Sequence, residues 1–257
     1  MTEARGAGRV PLVLLPGTLC DARLWEHQTQ YLADIAAPLV GDLTRDDSIA
    51  AMAERALEAA PPRFSLAGLS LGAIVAFEIM RRAPGRVIAL ALLDTNPAAP
   101  DDSQIALWRE EIQMAQSGLF AELVEERWIP SLLEASGSRG VSLPDAIRRM
   151  AHTVGPTGYA HQLWAQIGRP DSWSSLAAIA CPTLVLGGRQ DTMCPPALHE
   201  AIAAAIPDAR LAIVEDCGHL SACEQPEAVT ARLHRWLEEI RERQPAAEAT
   251  SRGGYRA

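Results

Sequence analysis

The chain has 257 residues, of which 48 % are hydrophobic and 21 % are charged, so we expect one large α/β domain, with or without an insertion. The formal net charge of −9 disfavours nucleic acid and anionic membrane surfaces as partners, and no unbroken apolar segment is long enough to span a bilayer. The five cysteines are scattered without a C-x-x-C pair, which indicates a reduced, cytoplasmic protein with neither a disulfide framework nor a zinc site.

Strands and helices alternate along most of the chain. The predicted strands are residues 9–15, 36–40, 64–69, 86–93, 180–186 and 209–214. The predicted helices are residues 22–33, with Asp21 as N-cap, and residues 46–60, 71–82, 195–206 and 225–241. This alternation predicts a mostly or entirely parallel sheet of about six strands with helices on both faces. Residues 1–8 and 244–257 are expected to be disordered.

The alternation stops between residues 98 and 175, where the pattern is helical throughout. This segment holds Trp108, Trp128, Trp164 and Trp173. It either packs a small core of its own or forms a cap over a pocket, and its position directly after the fourth strand favours the cap. The expected division is a core of residues 9–97 and 176–241 with a helical cap of residues 98–175.

The sequence contains no lysine, which excludes a P-loop, a kinase lysine, a Schiff base and a pyridoxal phosphate anchor. A G-x-G-x-x-G run is also absent. Acyl transfer through an oxygen nucleophile is the best remaining candidate for the chemistry.

The motif Gly68-Leu69-Ser70-Leu71-Gly72 stands between a predicted buried strand and a predicted helix. A turn softened by glycine, with a serine N-cap, would also produce this pentapeptide. A strand before the motif and a helix after it are the context that a nucleophile elbow requires. We therefore expect strained backbone geometry at Ser70, two glycines that leave room for a sharp corner, and a hydroxyl that projects above the sheet edge.

A serine hydroxyl needs a base, and the base needs a partner that fixes its tautomer. The chain supplies Ser70, Asp191 and His219, each directly after a predicted strand, at the sheet edge where parallel strands gather functional groups. Asp191 is the preferred acid, and Asp94 after the fourth strand is the alternative. His219 lies in a Gly-His loop. The other histidines lie on predicted helices, where exposed or half-buried side chains are usual: His27, His152, His161, His199 and His234.

Attack on a carbonyl group creates a negative oxygen that needs two preorganised donors. The N–H of Leu71, at the start of the helix after Ser70, is one candidate for this oxyanion hole. The second donor is expected from the loop after the first strand, where the Thr18 N–H is preferred and Leu19 is the alternative. The residues around Gly17 would also suit a plain tight turn, but their location at the active edge favours the donor role.

Four motifs, in this order, resemble the α/β-hydrolase superfamily. They are Leu15-Pro16-Gly17-Thr18, Gly68-Leu69-Ser70-Leu71-Gly72, Gly188-Arg189-Gln190-Asp191 with Pro195, and Gly218-His219 with Glu224-Gln225-Pro226. More narrowly, the chain is similar to the capped group that includes 3-oxoadipate enol-lactonases, biotin-pathway carboxylesterases and carbon–carbon bond hydrolases. The resemblance covers residues 10–241 and implies an α/β-hydrolase fold with an inserted helical cap.

The chain departs from this group in two ways. Pro16 stands where the family usually has the histidine of a His-Gly pair, an imidazole that supports the loop and does not react, so we expect activity to survive. The chain also begins almost directly with the strand that is usually third. We therefore expect six parallel strands, with residues 36–40 at one edge.

The resemblance implies a serine hydrolase of class EC 3.1.1 that cleaves a carboxylic ester, a lactone or a thioester through an acyl-enzyme on Ser70. The aromatic residues of the cap predict a small to medium apolar substrate, and no metal or organic cofactor is expected. The alternatives are a carbon–carbon bond hydrolase on the same residues, a non-catalytic ligand receptor with this fold, and a peroxidase-like side activity.

Overall fold

The structure, a computed structural model, describes residues 9–136 and 143–252. Its sheet has the strand order β2-β1-β3-β4-β5-β6, and each neighbouring pair is parallel. The strands are β1 (Val10–Leu15), β2 (Ala36–Val40), β3 (Phe64–Leu69), β4 (Val87–Leu93), β5 (Thr183–Gly188) and β6 (Ala209–Val214). The prediction of six parallel strands with residues 36–40 at one edge is therefore confirmed for the described part of the chain.

Helices follow most of the strands. They are α1 (Glu26–Tyr31), α2 (Ile49–Ala59), α3 (Leu71–Arg82), α4 (Asp102–Gln116), α5 (Phe120–Leu123), α6 (Ile129–Ser136), α7 (Leu143–Ile167), α8 (Pro196–Ala205), α9 (Ser221–Glu224) and α10 (Pro226–Arg252). Short 3-10 segments cover Ala22–Trp25, Pro84–Arg86 and Trp173–Ala178, and a π-helical turn at Val124–Trp128 joins α5 to α6. No helix in the described ranges combines the length and the apolar character needed to cross a membrane.

The sheet separates two apolar cores. One core lies under α2, α3 and α8 and includes Met52, Phe77 and Ile202. The other lies under α1, α10 and the helices between β4 and β5, and it includes Trp25 and Leu233. Because both of its faces are covered, β3 is buried along its whole length, as the apolar sequence of a central parallel strand requires.

Several boundaries differ from the sequence prediction for identifiable reasons. The helix predicted over residues 46–60 begins at Ile49, the first residue of α2. The Ser48 side chain caps it there by accepting the Ala51 N–H. Asp21 caps the 3-10 turn as predicted, by accepting the Arg23 N–H, but the helix then ends at Tyr31. The strand predicted at residues 180–186 starts at Thr183, because Pro182 has no N–H for the ladder.

The end of the chain also differs from the prediction. Helix α10 continues past residue 241 to Arg252, so residues 244–252 are helical where disorder was expected. Three alanines and Glu248 favour a helix in this stretch, against the opposing effect of Pro245, which has no N–H to donate. Residues 1–8 and 253–257, also expected to be disordered, lie outside the described residues.

The described part of the segment between β4 and β5 is mostly helical, as predicted, and contains α4 to α7. Helix α7 is bent at Gly155, where φ is +67°, and Pro156 follows the bend. The bend separates α7 into two helical segments. The second segment carries Gln162 and Gln166 against the loop that follows β1.

Candidate active site

Ser70 occupies the corner between β3 and α3. Its φ of +53° and ψ of −113° are strained for a residue with a side chain, as predicted for this corner. The Ser70 N–H donates to Leu93 O at 2.9 Å, and the Thr95 hydroxyl donates to Ser70 O at 3.1 Å. Two hydrogen bonds to the end of β4 therefore fix the backbone on both sides of the Ser70 Cα.

The two glycines of the motif are required by close backbone approach. A Cβ on Gly68 would lie 2.4 Å from the carbonyl group of Gly72, and a Cβ on Gly72 would lie 2.1 Å from Leu15 O. No real Cβ contact is that short, so the corner can form only with glycine at both positions. The expectation that these glycines remove clashing Cβ atoms agrees with this geometry.

The structure brings together the three residues that the sequence singled out. His219 Nε2 lies 3.0 Å from Ser70 Oγ, and His219 Nδ1 lies 2.9 Å from Asp191 Oδ2. Asp191 Oδ1 accepts the N–H groups of Met193 and Cys194, both at 2.9 Å. Because a carboxylate accepts at Nδ1, the neutral imidazole carries its proton there and directs the Nε2 lone pair at the serine hydroxyl.

Glu224 fixes the loop that carries His219. Its two carboxylate oxygens accept the N–H groups of Gly218 and Leu220, both at 2.8 Å, one on each side of the histidine. Gln190 ties this loop to the Asp191 loop, because its N–H donates to Cys217 O and its side-chain oxygen accepts the Cys217 N–H, both at 2.8 Å. The two loops therefore behave as one support for the His219–Asp191 pair.

Burial by itself lowers the pKa of His219, since it disfavours the imidazolium ion. The adjacent Asp191 carboxylate opposes this through its charge and its hydrogen bond, and the net effect raises the pKa of His219 well above its ordinary value. The site is therefore arranged to stabilise a positive charge on His219, which is the charge that a general base acquires.

Asp94 is a second buried carboxyl group beside this pair. It follows β4 with φ of +47°, and its Oδ2 accepts the Ser221 N–H at 3.1 Å. Burial raises the pKa of Asp94 well above its ordinary value, and the nearby Asp191 charge adds to the rise. Of the two acids considered from sequence, Asp191 is the one hydrogen-bonded to His219.

The two candidate donors of an oxyanion hole flank Ser70. Leu71 is the first residue of α3, so its N–H has no partner one turn earlier in the helix. Among the described residues the Thr18 N–H also has no hydrogen-bond acceptor, and Thr18 lines the cleft above Ser70. The Leu19 N–H, the alternative from sequence, is instead engaged by Gln162 Oε1 at 2.9 Å. This geometry favours Thr18 over Leu19.

A small cleft opens above Ser70 and His219, with a volume of about 70 Å³. The helical segment contributes Trp108, Trp128 and Leu132 to its wall, and the Trp128 indole N–H donates to the Tyr159 hydroxyl, which donates to buried Glu111. Trp164 and Trp173 do not line this cleft. Two of the four tryptophans that the sequence placed in the segment therefore face the site.

Several neighbours of the site carry no signal in the sequence. Gln162 and Gln166 are polar residues in the middle of a helix, where only the tertiary structure gives them a partner. His199, expected to be exposed or half-buried on its helix, is fully buried, and its Nε2 accepts the Thr95 N–H at 3.3 Å. That expectation was wrong because Gly187 leaves room for the His199 ring against β5.

Asp191, Cys194 and His219 each offer one atom that could bind a metal, and these atoms lie within 4.8 Å of one another. The His219–Asp191 hydrogen bond already occupies two of those atoms. Burial also raises the pKa of the Cys194 thiol, which keeps it protonated. A metal bound here would have to displace the His219 Nδ1 proton and the Cys194 thiol proton. This set of side chains therefore fits the hydrogen-bonded arrangement better than a resident metal.

Residues 12–232 match the alpha/beta hydrolase family, and because this covers most of the sequence, the chain belongs to that family. The pimeloyl-[acyl-carrier protein] methyl ester esterase of Aromatoleum aromaticum is 26 % identical over 236 residues, which are 85 % of this chain and 94 % of that protein. A thermophilic esterase from Thermogutta terrifontis, solved with malate bound, has 30 % identity and a TM-score of 0.82 over 92 % of each chain. The enol-lactonase from Burkholderia xenovorans LB400 has 21 % identity and a TM-score of 0.76 over 90 % of this chain and 92 % of that one, and supports the fold.

We expect Gly72→Ala to destabilise the protein by at least about 2 kcal/mol, because the new methyl group would press on a backbone carbonyl of β1. Urea unfolding of the variant and the wild type measures this difference. Gly85→Ala is the matched control, since a Cβ there meets no atom within 4 Å. Equal stability of the two variants would contradict the close approach at the corner.

We expect Asp191→Asn to lower kcat by a factor on the order of 10³ to 10⁴, because the amide no longer holds the required tautomer of His219. Asp94→Asn should keep kcat within about threefold, because the hydrogen-bond partner of His219 Nδ1 is Asp191 and the new amide can still accept the Ser221 N–H. Steady-state hydrolysis of an activated ester measures both values. The assignment of Asp191 as the acid is wrong if the two variants lose activity equally.

The raised pKa of His219 predicts the pH dependence of the reaction. The base must be neutral, so kcat/KM for an uncharged ester should rise with pH, with an apparent pKa above the ordinary histidine value of about 6.5. Asp191→Asn should move this limb to lower pH, because the attraction that raises the pKa is lost. A wild-type limb below 6.5, or a limb that does not move in the variant, would contradict the electrostatic interpretation.

Proposed function

We propose that the protein is a serine hydrolase that cleaves small carboxylic esters through an acyl-enzyme on Ser70. The observation that carries the proposal is the hydrogen-bonded series from Ser70 Oγ through His219 to Asp191, with distances of 3.0 Å and 2.9 Å. A serine, a histidine and a buried carboxylate at these distances are the parts that acyl transfer needs. The esterases among the relatives support the same class of reaction.

In the first half of the proposed reaction, Ser70 Oγ attacks the ester carbonyl carbon while His219 Nε2 takes the hydroxyl proton. The negative oxygen that forms accepts hydrogen bonds from the Leu71 and Thr18 N–H groups. Asp191 stabilises the imidazolium ion. His219 then gives its proton to the leaving alkoxide, and the alcohol departs from an acyl group bound to Ser70.

In the second half, a water molecule attacks the acyl carbon and gives its proton to His219 Nε2. The same two N–H groups receive the oxyanion, and Ser70 leaves with the proton from His219. Apart from the ester and the water molecule, each step uses only side chains and backbone groups of this chain. A lactone or a thioester would follow the same steps with a different leaving group.

We propose that residues 98–175 form a cap over the cleft, on the core of residues 9–97 and 176–241. Trp108, Trp128 and Leu132 support this division, because they belong to the inserted helices and lie over Ser70 and His219. The volume of about 70 Å³ is well below the several hundred Å³ of sites for drug-sized ligands. The volume favours an ester with a short acyl group, and the lining by Trp108, Trp128 and Leu132 favours an uncharged one.

The five cysteines are all free in the structure, and this supports a place for the protein in a reducing compartment such as the cytoplasm. The alternatives from sequence, a receptor and a carbon–carbon bond hydrolase, differ from an esterase in what they turn over. A receptor binds without turnover, and a carbon–carbon bond hydrolase requires a ketone that Ser70 can attack. The following experiment separates an esterase from both alternatives.

The test is the release of p-nitrophenol from acyl esters, acetate to laurate, by the wild type and by Ser70→Ala. We expect wild-type turnover and a loss of at least about 10⁴-fold in the variant, because the nucleophile is removed. Thermal denaturation of both proteins controls for folding. Turnover that persists in Ser70→Ala, or no turnover of any ester by the wild type, would contradict the proposal.

The cleft volume predicts the chain-length preference. The kcat/KM of the wild type should be highest for esters of four carbons or fewer, and Leu132→Ala should raise the ratio of hexanoate to acetate by roughly tenfold, because it opens the wall. Ile147→Ala, which truncates a buried side chain of α7 away from the cleft, is the control and should leave the ratio unchanged. An unchanged ratio in Leu132→Ala would show that the acyl group lies elsewhere.

A further inference from the structure

The loop after β1 has little internal support. Within the described residues, its own backbone hydrogen bond runs from the Cys20 N–H to Gly17 O at 3.2 Å. Leu19 has φ of +56°, a left-handed conformation that residues with a side chain rarely adopt. Contacts from other elements therefore contribute to holding the Thr18 backbone at the cleft.

Two glutamines of α7 provide these contacts. Gln162 Oε1 accepts the Leu19 N–H at 2.9 Å, and Gln166 Nε2 donates to the Thr18 hydroxyl at 3.1 Å. The glutamines are one helical turn apart, so they lie on the same face of α7. Both are buried, where a hydrogen bond that is lost leaves an unpaired polar group.

Arg169 connects this pair of contacts to the start of the inserted segment. Its Nη1 donates to Gln166 Oε1 at 3.3 Å, and its Nε donates to Ala98 O at 2.9 Å. Its guanidinium group lies over the Trp108 ring, 5.6 Å from the centroid. Both ends of the inserted segment are thus joined through one buried series of hydrogen bonds to the loop that presents the Thr18 N–H.

We propose that Gln162 and Gln166 are positioning residues that hold the Thr18 N–H in the oxyanion hole, so that α7 is part of the catalytic centre as well as a cover over it. This inference rests on the proposed function. It is carried by the direct contacts of both side chains with Thr18 and its neighbour Leu19. Pro16 has neither a side-chain donor nor an N–H with which it could support the loop itself.

The variant that tests the inference is Gln162→Met, which removes the acceptor for the Leu19 N–H and keeps the length of the side chain. Gln162 does not line the cleft, so the substitution does not alter the surface that faces the substrate. We expect kcat for a p-nitrophenyl ester to fall roughly 10- to 100-fold with KM within about threefold, because the donor is misplaced for the transition state.

A trifluoromethyl ketone provides a readout that a structural role would not affect. Ser70 adds to its carbonyl group, and the negative oxygen of the adduct occupies the oxyanion hole. We expect its inhibition constant to rise in Gln162→Met by the same factor as kcat falls. Arg86→Met is the matched control, because Arg86 holds the carbonyl groups of Leu57, Ala60, Pro61 and Pro62, far from the site. It should lower the melting temperature and leave both values unchanged.

A double-mutant cycle of Thr18→Val and Gln166→Met provides a second measurement if Gln162→Met does not fold. The loss of kcat/KM in the double variant should be clearly smaller than the product of the two single losses, because each change breaks the same hydrogen bond. Independent, multiplying losses would overturn the inference.

The outcomes also separate the inference from the proposed function. In one outcome, Ser70→Ala abolishes ester turnover but Gln162→Met keeps the wild-type kcat and inhibitor affinity. This outcome would support the proposed function and overturn the role of the glutamines. Parallel losses of kcat and inhibitor affinity support both. An absence of turnover in the wild type removes the proposed function, and the role of the glutamines with it.

Discussion

The sharp corner at Ser70 is the constraint on which the rest of the site depends. The first turn of α3 can follow β3 only if the backbone at Gly72 approaches Leu15 O and the backbone at Gly68 approaches Gly72, closer than any Cβ allows. This contact locks the start of α3 to the ends of β1 and β3. The corner therefore places three groups together at the carboxyl edge of the sheet: the Leu71 N–H, the Ser70 hydroxyl and the loop after β1. Asp191 and His219 lie at the same place, on the loops after β5 and β6.

Two buried carboxyl groups, Asp94 and Asp191, lie beside the one imidazole of the site. Two ionised carboxylates beside a single imidazole would repel each other, and burial strengthens the repulsion. Burial and the nearby Asp191 charge raise the pKa of Asp94 well above its ordinary value. Asp191 accepts the Met193 and Cys194 N–H groups and lies against His219 Nδ1. This arrangement favours the protonated form of Asp94 and leaves the Asp191 hydrogen bond to stabilise a positive charge on His219.

Local patterns were sufficient to predict the sheet and the residues at its edge. The apolar strands, the glycine motif and the Gly-His loop lie within short stretches of sequence, so β2, β3, α3 and β6 were predicted at their observed bounds. The roles of Gln162, Gln166, Arg169 and His199 could not be predicted, because each depends on a partner distant in sequence. Two predicted boundaries differ from the observed ones because of a single hydrogen bond, which outweighs the apolar pattern. The Ser48 side chain makes a capping bond that starts α2, and Pro182 lacks the N–H that would extend β5.

Mass spectrometry of the protein after reaction with diisopropyl fluorophosphate tests most directly whether Ser70 is the nucleophile. We expect one adduct, located on Ser70 by peptide mapping, that forms in step with the loss of ester hydrolysis and is absent in His219→Ala within the same time. This outcome follows because only a serine beside a base is nucleophilic enough to react. An adduct on another residue, or an enzyme that keeps its full activity with Ser70 labelled, would contradict the account.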